Sequence, residues 1–185
     1  PPPELVGRSS ILRQTEILLG RTLNRRPEKS MLLTGLRGVG KTVLLNEMER
    51  LAQQHGYHTI SIEAHENKSL GASLAPYLRR LFFVLNSLAG TGDKVQRGLI
   101  ALRNFIGTIR INYGDLGLDL DPLPGVADSG DLENDLPELF QALSDADMER
   151  QFAVVILIDE IQYFKENELS ALLIAMHRIQ ERQFF

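Results

Sequence analysis

Apolar positions recur along the chain with two periods. Ile11, Leu12, Thr15, Leu18, Leu19 and Leu23 fall at helical spacing and predict a helix over 10–24, capped by Ser9 or Ser10. Ser30–Thr34 is short and apolar and runs into glycines, which predicts a buried strand. Leu44, Leu45, Met48, Leu51 and Ala52 share one face of a helix over Lys41–Gln54, and Gly56 ends it. Tyr57–Glu63 alternates and carries β-branched Thr59, Ile60 and Ile62, so it predicts a second strand. Helices follow over 72–88 and 93–105, separated by Gly90-Thr91-Gly92. Thr108–Asn112 and Leu116–Leu120 flank Tyr113-Gly114-Asp115 and predict a hairpin, and 121–130 predicts a loop. Leu132, Leu136, Leu139, Phe140 and Leu143 mark another helix. Phe152–Ile158 is seven apolar residues in a row, the pattern of a strand buried on both faces. Leu169, Leu172, Leu173, Met176 and Ile179 mark a last helix. Strands alternating with helices predict an α/β fold with a mostly parallel sheet covered on both faces.

Composition narrows the class. The 185 residues are 43% hydrophobic and 24% charged, as in one globular domain. The longest apolar run, seven residues, is too short to cross a bilayer, and no signal peptide is visible. Absence of cysteine excludes disulfides and thiolate metal sites. A soluble cytoplasmic protein without a membrane partner is expected. The net charge of −4 averages over an asymmetry. Residues 1–113 hold 16 bases and 8 acids, whereas 114–149 hold 11 acids and no base. Such a division fits an anionic ligand, a nucleic-acid face, internal neutralisation, or charges merely solvated.

The first chemical signal is Gly35-Leu36-Arg37-Gly38-Val39-Gly40-Lys41-Thr42, a full match to G-x-x-x-x-G-K-[ST] between a predicted strand and a predicted helix. Glycines let the backbone turn tightly and bring its N–H groups to phosphate oxygens. The start of the following helix adds unpaired N–H groups and the positive end of its dipole. Lys41 supplies a mobile positive charge for the β- and γ-phosphates, and Thr42 a hydroxyl for Mg2+. The second signal is Asp159-Glu160, directly after the seven-residue apolar run. A charge there needs a partner, and a divalent cation provides one for Asp159. Glu160 is then placed to polarise an attacking water.

Val6-Gly7-Arg8, the glycine loop and Leu157-Ile158-Asp159-Glu160-Ile161-Gln162 together resemble the AAA-type ATPases, nearest to the origin-recognition-like and STAND branch. The resemblance covers about residues 4–63 and 150–183. It implies a P-loop three-layer sandwich that binds ATP (or ADP) with Mg2+, with Walker A at 35–42 and Walker B ending at Asp159. It places Val6 and Arg8 over the adenine ring, although Ser9 stands where an acidic residue usually follows the Arg. ATP rather than GTP rests on the resemblance and on the absence of Asn-Lys-x-Asp. The implied sheet order inserts a further strand with a sensor residue between the glycine-loop strand and the Asp-Glu strand. Residues 1–185 are therefore expected to be an N-terminal part of the AAA core, with 106–131 as a hairpin and acidic-loop insert. Strands 30–34 and 152–158 should then not be hydrogen-bonded neighbours.

Other constellations are weaker. His55 and His58, three apart, suit surface histidines better than a metal site. Glu63 or His65, after the second strand, are candidates to approach a γ-phosphate. Asp115, Asp119 and Asp121 depart from an EF-hand pattern. Arg79, Arg80, Arg97, Arg103 and Arg110 are candidates for a basic DNA face, without aromatic interleaving. Leu78, Leu81, Phe82 and Leu85 form a core stripe. The expected function is ATP hydrolysis, slow in isolation because an arginine finger supplied from elsewhere is worth about 10³–10⁵ in rate. Open alternatives are a nucleotide-regulated switch or scaffold with self-association or a protein partner, a DNA-associated loader, and a small-molecule kinase.

Overall fold

The computed structural model describes residues 8–24, 26, 28–36, 38–87, 92–113, 125–150 and 153–182. Their order is α1 (Ser9–Leu23), α2 (Lys41–Gln54), β1 (His58–Glu63), α3 (Leu70–Ser87), α4 (Asp93–Tyr113), α5 (Leu132–Arg150), β2 (Val154–Asp159), a 3-10 turn (Ile161–Tyr163) and α6 (Glu166–Arg182). β1 and β2 pair in parallel, with His58 opposite Val154 and Glu63 opposite Asp159. Antiparallel strands can turn directly, but a parallel pair needs a crossover, here α3, α4 and α5. The architecture is a helix-rich α/β fold around a two-stranded parallel sheet.

Period-2 alternation assigns the two sheet faces. Ile60, Ile62, Val154, Ile156 and Ile158 join the larger core with the buried stripes of α3, α4, α5 and α6. Leu78, Leu81 and Leu85 lie in that core and Phe82 packs against it, as their spacing predicts. Leu157 faces the other way and packs with Leu44 and Met48 of α2, with Val155 at the margin. Beside it Leu19, Leu51, Ala52, Tyr57 and Ala153 pack together, and the Tyr57 hydroxyl donates to Leu19 O at 2.9 Å. Helices therefore cover both faces, α1 and α2 on one and the α3–α6 group on the other.

Helix starts follow local chemistry. Ser69 Oγ accepts the Ala72 N–H at 3.1 Å and begins α3. The buried Glu168 carboxylate accepts the Lys165 N–H at 3.0 Å and the Leu70 N–H at 2.7 Å. One side chain thus satisfies the starts of both α6 and α3. The acids of 125–138 are spent on backbone as well. Asp135 accepts from the Ser129 and Gly130 N–H groups, Glu138 from Ala127, and Asp128 from Gly125. In this stretch the acidic bias supplies acceptors to a loop.

Three expectations are corrected. Ser30–Thr34 forms no strand, and Leu32 is 73% exposed. Met31 and Leu33 pack toward α2 and Val155, so the alternation survives without a ladder. The apolar run before Asp159 packs on both faces but less deeply than expected: of β2, Leu157 alone is fully buried. Among the described residues β2 has a strand on one edge, and its other edge is uncovered by any. Thr108–Asn112 is the end of α4, not the arm of a hairpin. There the helical packing of α4 on α5 overrides β-branched Thr108, Ile109 and Ile111. Leu116–Leu120, with Asp115, Asp119 and Asp121, lies outside the described residues.

Asp135 is 2% exposed and accepts the adjacent Ser129 and Gly130 N–H groups in the turn before α5, so Asp135→Ala should cost about 2 kcal/mol, by removing these charge-assisted bonds. Urea unfolding measures this. Asp128→Ala, at an exposed position, should stay within about 0.5 kcal/mol of the wild type.

Candidate functional site

The geometry begins with two packing contacts. Leu44 and Met48 hold α2 against Leu157. Two residues back from Leu44 is Thr42, and two residues on from Leu157, on the same face, is Asp159. The alternation that buries Leu157 under α2 thus delivers Asp159 to the start of α2. There the Thr42 hydroxyl donates to Asp159 Oδ2 at 2.5 Å, across 117 residues of sequence. The other carboxylate oxygen, Oδ1, accepts the Glu160 N–H at 2.9 Å.

The glycine loop precedes this point. Gly38 and Gly40 have φ of +81° and +79°, a region that penalises any side chain. Gly40 is the N-cap of α2, and no side chain caps that end. The first turn of α2 holds no acid that would compete for its N–H groups. Lys41 Nζ curls back and donates to Gly35 O at 3.2 Å and Leu36 O at 3.0 Å. Leu36 and Val39 project into solvent, 81% and 43% exposed, so what they offer the loop is backbone. Arg8 reaches in from the start of α1, and its Nη1 donates to Gly40 O at 2.5 Å. Val6 and Arg37 lie outside the described residues.

Glu160 leaves β2 in the left-handed region, with φ of 53°. For a residue with a Cβ that conformation is disfavoured. It turns the chain sharply into the Ile161–Tyr163 turn, where the Tyr163 N–H donates to Glu160 O at 3.0 Å. The Gln162 amide donates to Glu160 Oε2. Gln162 had no role in the sequence-based expectations. Its place two residues after an acid was the available signal, but nothing in the spacing reveals that the strained turn folds the amide onto the carboxylate. A cleft of about 520 Å3 opens between the two halves of the site, lined by Leu32, Thr34, Gly35 and Lys41 on one side and Glu160 and Tyr163 on the other.

A family model described as AAA ATPase domain matches residues 4–184. The chain belongs to the AAA ATPase domain family. No curated protein and no solved structure matches it. AAA ATPase domains bind and hydrolyse nucleotide at a P-loop, and that general activity is what membership brings to this chain. Nothing in the described residues is a helix long and apolar enough to cross a membrane.

Within this AAA domain the remaining candidates are dispersed. Glu63 is the register partner of Asp159, so it stands at the same sheet end, exposed and beside the site. His65 lies beyond it in an exposed turn. Arg79, Arg80 and Arg97 are exposed on α3 and α4, in the crossover, while the Arg110 side chain lies outside the described residues. His55 and His58 sit at the opposite end of β1 from Asp159. Among the described residues no group of three or more His, Cys, Asp or Glu is placed to hold a metal ion. The donor set Thr42 and Asp159 nevertheless suits Mg2+, which takes hard oxygens from few protein groups and keeps the rest for water and phosphate.

Burial lowers the pKa of His58 from its ordinary value of 6.5. The unfolded chain therefore takes up a proton near that pH that the folded chain still refuses. Stability should fall as pH drops below about 6.5, and His58→Asn should flatten the slope. Chemical denaturation across pH 7 to 5 (about that span) tests it, and an unchanged slope in the variant would contradict the assignment.

Proposed function

We propose that the chain binds ATP with Mg2+ and hydrolyses it to ADP and phosphate at the cleft between the glycine loop and the end of β2. The backbone of 35–42, Gly35, Leu36, Arg37, Gly38, Val39 and Gly40 included, wraps the phosphates, and Lys41 exchanges its two loop carbonyls for β- and γ-phosphate oxygens. Thr42 and Asp159 hold the metal; when bound, Mg2+ offsets the charge of the β- and γ-phosphates. Glu160 takes a proton from the attacking water as the bond from γ-phosphorus to the bridging oxygen breaks and ADP leaves. Val6 and Arg8 border the nucleotide. The contact between the Thr42 hydroxyl and the Asp159 carboxylate carries this conclusion. Two groups so far apart in sequence meet where a loop that can accept phosphate meets a strand end that can accept a cation.

The origin-recognition-like or STAND branch is supported by Val6-Gly7-Arg8 and the Asp-Glu pair. A switch or scaffold with little turnover, cytoplasmic and self-associating, is a second reading. It is favoured by the resting contacts of the site, with Lys41 on its own loop and Glu160 under the Gln162 amide. The domain itself we read as incomplete at one sheet edge. Among the described residues, 30–36 pair with no strand, β2 has a strand on one edge alone, and Leu32 is exposed beside the cleft. A further strand in that gap, carrying the sensor residue, would pair both sides. Of the 106–131 insert, the acidic segment that follows α4 in sequence is what this reading retains.

Lys41→Ala should weaken ATP binding by about 100-fold, since charge-assisted bonds to two phosphates are lost. Glu160→Gln should keep affinity and lower turnover by about 10²–10⁴-fold. Fluorescent-nucleotide titration and phosphate release measure the two. Equal ATP affinity in wild type and Lys41→Ala would refute the site. Thr42→Val and Asp159→Asn should each abolish the Mg2+ dependence of ATP affinity while the protein still melts cooperatively.

A further inference from the structure

Arg8, which its motif associates with the base, makes its own contacts with the glycine loop. Its carbonyl accepts the Ile11 and Leu12 N–H groups, each at 3.1 Å, so its backbone begins α1. Its side chain crosses to the glycine loop and donates to Gly40 O at 2.5 Å. A Cβ built on Gly40 would meet Nη1 at 3.3 Å and Nη2 at 3.5 Å, so the guanidinium lies against that glycine. The Gly40 carbonyl also accepts the Leu44 N–H at 3.1 Å. Two donors therefore hold one carbonyl. Because the peptide unit is planar and trans, fixing the Gly40 C=O fixes the Lys41 N–H pointing the opposite way. That N–H is among the first of α2 and, on the reading above, one of those offered to phosphate. Glycine at φ +79° would otherwise leave this peptide easy to rotate.

We propose that Arg8 is a positioning residue for the phosphate loop: it locks the Gly40–Lys41 peptide and so sets the grip on polyphosphate, rather than reading the base. The inference rests on 35–42 being the phosphate loop. The other end of α1 is fixed independently, through Leu19 O and the Tyr57 hydroxyl. Tightening of the loop on a nucleotide thus reaches α1 through Arg8.

The test compares Mg·ATP with Mg·tripolyphosphate, which has the charge and no base, by calorimetry on the full chain. Arg8→Ala should weaken both ligands by the same factor, about 10-fold, as expected for one lost charge-assisted bond. Arg8→Lys keeps a donor and should recover most of the loss for both ligands. Tyr57→Phe, which loosens α1 at its far end, should lower the melting temperature and leave both affinities unchanged. Loss confined to ATP would make Arg8 a base contact and overturn the proposal, as would unchanged affinity for both ligands. Equal weakening in Tyr57→Phe would show that docking of α1 matters rather than Arg8. If the wild type binds neither ligand, or Lys41→Ala binds both as well as wild type does, the phosphate-loop reading itself falls and takes this inference with it.

Discussion

Everything at the site depends on α2 beginning where β2 ends. A helix start exposes N–H groups that lack partners, and a strand that ends in a carboxylate exposes charge. Apart, both are liabilities. Set together they form a junction with positive backbone on one side and hard oxygen on the other. The Thr42–Asp159 bond marks that junction. Its cause lies two residues inward on each element, where Leu44 and Met48 pack on Leu157. Slipping β2 by one residue would turn Asp159 to the opposite face and dissolve the site, so the parallel register with β1 is a functional constraint as well as a packing one.

The crossover supplies the rigidity behind this arrangement. Three helices between the strands put most of the buried apolar surface on the sheet face away from α2. Glu168 then ties the start of α3, which follows β1, to the start of α6, which follows β2. Both strand ends that border the site therefore lead into helices joined by one buried carboxylate. That acid is stable in the core because backbone N–H donors converge on it.

The two halves of the site differ in how firmly they are built. β2 is paired along one edge and packed on both faces, whereas 30–36 leans on α2 through Met31 and Leu33 and exposes Leu32 and Leu36. The cleft is lined by residues 32–35 and Lys41 on one side and by the turn that follows β2 on the other. Contacts from outside the sheet, such as Arg8 on Gly40, carry more weight in a loop supported from one side.

Much of this was legible in one dimension. Helix and strand periods located α1, α2, β1, α3, α5, β2 and α6, because each buries a stripe or a face of its own. The glycine loop and the Asp-Glu pair were legible because their residue types are dictated by local chemistry: left-handed backbone, a mobile ammonium, a charge after an apolar strand. What the linear order left undetermined were outcomes of competition between distant segments. Whether Ser30–Thr34 becomes a strand depends on a neighbour to bond with, which no propensity contains. Whether Thr108–Asn112 turns or continues as helix was decided by α5 lying against α4. The landing of Arg8 on Gly40 and of Gln162 on Glu160 required the backbone in place first, since a long side chain finds its acceptor only after the fold has brought that acceptor within reach.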